Sequence, residues 1–170
     1  MSREEPIKKD AEAALGPRRL AGRPMGWAEA FAAPPVLSEE QQQNLSLAET
    51  IVRARDLRGR ILGKTAQFAD PAWDILLDLY VGLLKGRMIS IGDACIAARV
   101  PMTTAFRWID HLVRTGAVER DLDPRDGRRV LVRLSEAQLR SMDEFFRAIS
   151  FSTSSVEASS NRSSSMPSGK

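Results

Sequence analysis

Cysteine and histidine are nearly absent: the 170-residue chain has one of each, Cys95 and His111. A single thiol excludes an internal disulfide and fits a reducing cytoplasm. One thiol and one imidazole cannot assemble a Cys/His zinc site, so no metal is expected. P-loop, GxGxxG, HExxH and CxxC patterns are missing too, which leaves no call for a cofactor or for catalysis. No apolar run is long enough to span a bilayer, so no membrane partner is expected. The first ten residues, MSREEPIKKD, carry both signs of charge with no apolar stretch behind them, unlike a secretory signal. Charge imbalance is small as well: 25 Lys and Arg against 22 Asp and Glu leave a formal +3. That excess alone does not point to nucleic acid. The positions of the arginines carry more information.

What is present is ordinary for a globular protein, 43% apolar and 28% charged, at a length that suits one domain. Residues 1–37 are rich in Pro, Gly, Arg and Ala and read as a flexible basic arm. Within it Met25–Ala33 could form a short docking helix, ended by Pro34-Pro35. Ser38-Glu39-Glu40-Gln41 has the form of a capping box. It predicts a helix to about Leu62 along Ile51, Ala54, Leu57 and Ile61, in a stretch also crowded by Arg53, Arg55, Arg58 and Arg60. Asp70-Pro71 predicts a second helix start. Trp73, Leu76, Leu77, Tyr80, Leu83 and Leu84 give that helix a wide apolar face, and Gly86 stops it.

Ser90-Ile91-Gly92-Asp93 opens a short helix that Val100-Pro101 interrupts. Met102–Thr115 is then a new helix, stopped by Gly116. From Val118 the period becomes two: Val118, Arg120 and Leu122, then Val130, Val132 and Leu134, form a β-hairpin around a Gly-containing tip. Ser135-Glu136-Ala137-Gln138 opens a last helix carrying Leu139, Met142, Phe145, Phe146 and Ile149. The Ser-rich stretch 151–170 reads as a disordered tail. The fold class expected is mainly α with a small β-hairpin wing. Residues 38–150 are expected to form one winged helix-turn-helix domain, with segments 38–63 and 135–150 as flanking helices.

Two helices joined by a short turn make a helix-turn-helix, whose second helix enters the major groove N-terminus first. Ala105, Trp108, Ile109 and Leu112 are expected to face inward. Thr103, Thr104, Arg107, Asp110, His111 and Arg114 are expected to face outward. Phe106 lies at the margin, either touching a thymine methyl or packing. Arg107 can reach guanine O6 and N7 with both arms of its fork. The hairpin tip adds Arg125, Arg128 and Arg129, suited to a narrow minor groove, with Asp123 and Asp126 expected to orient them by ion pairing. With Ser90 at the start of the motif, the DNA-contacting set is Ser90, Thr103, Thr104, Phe106, Arg107, His111, Arg114, Arg125, Arg128 and Arg129. The lone His111 reads as a phosphate contact or a plain surface residue. Cys95 reads as a small core residue.

The stretch Ile75–Phe146 resembles the winged-helix domain of MarR-type bacterial transcription regulators. The matching features are Leu112-x-x-x-Gly116, an Arg on the first wing strand at Arg120, the wing pattern Asp123-x-x-Asp126-x-Arg128, and Leu134-Ser135-Glu136 at the next helix start. The resemblance implies a homodimer on a pseudo-palindromic operator in double-stranded DNA, with segments 38–63 and 135–150 as its dimerisation helices, and a small aromatic or lipophilic ligand that releases it. The family's longer C-terminal helical region has no counterpart in the residue pattern past Ile149. A winged-helix module that contacts another protein, or a DNA-binding part of replication or recombination machinery, stays open as an alternative.

Overall fold

Local capping chemistry places the helix starts. The computed structural model describes residues 35–62 and 69–163. Most of the arm, including the expected docking helix at Met25–Ala33, lies outside the described residues, as do residues 164–170. Helix α1 (Glu39–Ile61) begins at Ser38, whose Oγ accepts from the Gln41 amide while the Gln41 side chain accepts from the Ser38 amide. Helix α2 (Pro71–Leu84) begins with Pro at its first position, where a missing N–H costs nothing, and Asp70 accepts from the Trp73 amide at 3.3 Å. Strand β1 (Ile89–Ser90) leads directly into α3 (Ile91–Ala97), capped reciprocally by Ser90 and Asp93. Helix α4 (Met102–Arg114) follows Pro101 and ends at Gly116, whose φ of +77° is the left-handed turn expected of a C-terminal glycine. Strands β2 (Val118–Leu122) and β3 (Val130–Leu134) precede the long α5 (Glu136–Ser163).

The hairpin forms in register, from Val118 opposite Leu134 to Leu122 opposite Val130. It is one strand larger than expected. β1 pairs antiparallel with β3, Ile89 opposite Val132, giving the order β1-β3-β2. Two residues are too short to show a period, so β1 left no pattern to read.

The core gathers around α2, where Ile75, Leu77, Leu79 and Tyr80 are buried. Ile91, Cys95, Ile109, Val118, Leu131, Met142 and Phe146 close over it from the other elements. Each large apolar side chain buried this way contributes about 1.5–3 kcal/mol. Tyr80 stacks on Phe146 at 5.0 Å, and its hydroxyl donates to Asp143 at 2.7 Å, satisfying the one polar atom the ring carries inward. Cys95 is a buried core residue, as expected. Among the described residues no helix is long and apolar enough to cross a membrane.

Asn44 and Ala48 are the fully buried positions of α1, Ile51 and Val52 pack partly against the core, and Leu57 and Ile61 are 50% and 70% exposed. Two expectations need correction. Trp108 faces outward rather than inward and is 37% exposed. Finally, α5 continues past Ile149 to Ser163. Residues 150–163 contain neither Gly nor Pro, and extending an existing helix costs little per residue.

Candidate nucleic-acid interface

Helix α4 is strongly amphipathic. Ala105, Ile109 and Leu112 are buried beneath it, as their spacing predicts. Phe106 is 9% exposed, so packing wins over a base contact there. The outer face carries Thr103, Thr104, Arg107, His111 and Arg114, all exposed. Trp108 joins this stripe, its ring edge-on to His111 with centroids 5.8 Å apart. Arg114 is partly engaged, donating to Asp110 one turn back at 3.0 Å. Arg107 makes no hydrogen bond or ion pair with the other described residues, which leaves its fork free. The first turn of α4 has no side-chain cap, since its N-cap is Pro101. The amides of Thr104 and Ala105 bond the Pro101 carbonyl, while those of Met102 and Thr103 lie ahead of the ladder. An uncapped helix start flanked by threonines favours an anion.

The wing tip is ordered by its two acids, though not quite as expected. Asp123, 4% exposed, accepts from the Arg125 amide at 2.8 Å, and its other oxygen lies 3.4 Å from Arg129 Nη1. Asp126 holds no arginine side chain; its Oδ1 accepts from the Arg128 amide at 3.1 Å. The correction has a physical reason. In a tight turn an Asx carboxylate meets backbone N–H groups two residues ahead before it meets a long side chain. Both acids are thus turned onto the backbone, and the exposed Arg125 and Arg128 are left outward at the tip.

Ser90 is already committed. Its hydroxyl donates to Asp93 at 2.7 Å and accepts from the Asp93 amide at 3.2 Å. Burial pushes the Asp93 carboxyl up, but the Ser90 hydroxyl and amide, with Arg129 and Arg87 nearby, hold it below its ordinary value. Ser90 therefore builds the motif rather than reaching beyond it.

Some features were not legible in the sequence. Arg120 on β2 has its Nε and Nη1 buried without a hydrogen-bond partner among the described residues. Arg55 grips Asp74 with both arms of its guanidinium, at 2.5 and 2.9 Å. Arg99, in the turn between α3 and α4, pairs with Asp56 at 2.9 Å. A shallow cavity of about 590 Å³ opens beside β1, lined by Asp78, Arg87, Met88, Ile89, Asp93, Ile96, Ala97 and Arg129. Its mixture of carboxylates and guanidiniums does not suit a lipophilic aromatic ligand. Among the described residues no group of three or more His, Cys, Asp or Glu side chains is placed to hold a metal ion.

No family model and no curated protein sequence matches the chain. Solved structures similar to it include S. aureus MepR bound to ethidium bromide, at 20% identity and a TM-score of 0.45, covering 68% of this chain and 80% of that one. A variant of S. aureus MepR bound to an oligodeoxyribonucleotide is similar at 18% identity and a TM-score of 0.44, covering 67% and 78%. A variant of E. coli MarR is similar at 20% identity and a TM-score of 0.39, covering 75% and 86%. By the order of its own elements, two helices joined by a short turn and followed by a β-hairpin, the chain is a winged helix-turn-helix protein.

Proposed function

We infer that the protein is a dimeric, sequence-specific regulator of transcription that binds a pseudo-palindromic site in double-stranded DNA. One observation carries this reading. The uncapped start of α4 and its exposed Thr103, Thr104 and Arg107 accompany a wing whose Asp123 and Asp126 bond backbone amides of the turn and whose Arg125 and Arg128 are exposed at the tip. Neutral hydroxyls, a free guanidinium and a helix N-terminus suit a groove edge and its phosphates. Outward arginines on a narrow turn suit the minor groove beside it. The homodimer is supported by apolar side chains left exposed on the two outer helices: Leu57, Ile61 and Leu62 at and just past the C-terminal end of α1, and Phe145 and Phe151 on α5, each at least 41% exposed. A lone protomer would leave these to water. A dimer reading two half-sites needs its two α4 helices about one DNA turn, ~34–36 Å, apart.

Selecting bound fragments from sheared genomic DNA tests the reading directly. The expected result is a set of sites with two inverted half-sites about 10 base pairs apart, bound with an affinity that falls steeply as salt rises. Folded protein that retards no DNA at low salt would contradict it.

A further inference from the structure

The turn between α3 and α4 holds a residue that its own backbone disfavours. Arg99 has a φ of +56°, and no other non-glycine residue among those described has a positive φ. A side chain raises the cost of this region, because Cβ crowds the adjoining carbonyl oxygen. Glycine adopts it freely, and helix-turn-helix turns often contain one. An arginine persists in such a conformation where the surrounding structure over-determines it.

The surroundings of Arg99 do so. Its guanidinium reaches acids on both α1 and α2. Nη2 lies 2.9 Å from Asp56 on α1, and Nε lies 4.0 Å from Asp74 on α2. Asp74 is in turn locked to Arg55 of α1, and its side chain is 3% exposed. Four charged side chains thus join α1, α2 and the turn from which α4 departs. The two ends of this clamp differ. Arg55–Asp74 is buried and bidentate, while Asp56 and Arg99 are 54% and 32% exposed. The exposed end adds little to stability. What it constrains is direction, because the turn sets the angle at which α4 leaves the domain.

We propose that Arg99 is a positioning residue: pinned by Asp56 and Asp74, it fixes the orientation of α4 relative to α1 and passes movements of α1 to the outer face of α4. The functional half rests on the DNA-binding reading; the positional half stands without it.

Arg99→Gly separates this role from a merely structural one, because it relieves the backbone while deleting the clamp. Its melting temperature should equal or exceed that of the parent. Spin labels at Ala54→Cys on α1 and Thr115→Cys at the end of α4, both exposed, report the interhelix distance, and the buried Cys95 stays unlabelled. Dilution with unlabelled protein suppresses distances between protomers. The distribution should broaden or shift in Arg99→Gly and stay near the parent in Arg99→Lys, which keeps the charge. Affinity for DNA selected by the unlabelled parent should fall about two- to thirtyfold in Arg99→Gly, the range expected of coupling residues. An unchanged distribution in Arg99→Gly would overturn the proposal whatever the DNA result. A broadened distribution with undiminished affinity would overturn the functional half. A broadened distribution in a protein whose parent binds no DNA would support the positional half and sink the DNA reading instead.

Discussion

Replacing Asp74 with alanine should be among the most damaging single changes outside the apolar core. Asp74 is buried on α2 and accepts two hydrogen bonds from Arg55, whose own side chain is only 13% exposed. Without the carboxylate, that guanidinium is left charged and largely out of water. Breaking a buried pair from one side costs about 3–5 kcal/mol, and partial access of Arg55 to solvent favours the lower end. In a domain of this size each kcal/mol moves the melting temperature by roughly 4 °C, so a drop of about 12 °C is expected. Urea unfolding should show the loss as a lower midpoint with an unchanged slope. Replacing both partners, Arg55→Leu with Asp74→Leu, removes the orphaned charge and should return stability to within about 1 kcal/mol of the parent. A single-variant loss below about 1 kcal/mol would refute the reasoning. So would a double variant as unstable as the single, since the cost would then not come from an unpaired charge.

Further expectations concern DNA binding, packing and pH. Arg107→Ala should cost about 1–3 kcal/mol on the selected site and relax base preference at one position per half-site, read by competition binding. Arg125→Ala or Arg128→Ala should instead weaken all sequences alike and lower the slope of log affinity against log salt by about 1 per site contacted. Gly82→Ala should destabilise although alanine favours a helix by about 1 kcal/mol, since overpacking costs about 1–3 kcal/mol. The new Cβ would stand 2.8 Å from Ile89 Cγ1 and 2.9 Å from its Cδ1, and Ile89→Val in the same chain should recover part of the loss. Burial, with Asp143 accepting its hydroxyl hydrogen bond, pushes the Tyr80 phenol well above its ordinary value. The folded state therefore keeps a proton that the unfolded chain releases. This contribution is complete below about pH 10 and is lost as pH rises above it. Tyr80→Phe should flatten that alkaline decline in urea midpoints measured between pH 8 and 11.

Local chemistry made the element boundaries readable. Ser38, Asp70-Pro71, Ser90 with Asp93, Val100-Pro101 and Gly116 each act on backbone groups within a few residues of themselves. Part of the inward face of α2 (Leu77, Tyr80 and Leu84), most of that of α4 (Ala105, Ile109 and Leu112) and the two strands of the wing hairpin were legible for a similar reason, since periods of 3.6 and 2 follow from backbone geometry, whereas the burial of Ile75, Leu79 and Val81 was not. The candidate interface was legible as a set of residue types. Its details were not. Trp108 lies at helical spacing from Ala105 and Leu112 yet faces solvent, because the edge of a buried stripe is set by what packs against it. Asp126 bonds a backbone amide that competes better than any arginine, a choice made by the shape of the turn.

The sequence by itself determined a helix-turn-helix followed by an arginine-tipped wing, because caps, breakers and periodicity are encoded within one or two turns of chain. Tertiary structure alone decided the third strand at Ile89–Ser90, the outward apolar ends of α1 and α5, and the clamp from Arg55 and Asp56 through Asp74 to Arg99. Arg55 and Asp74 are 19 residues apart in the chain. No local rule pairs one acid with one base among 47 charged residues; only the packing of α1 on α2 brings these two together and leaves them little water to choose instead.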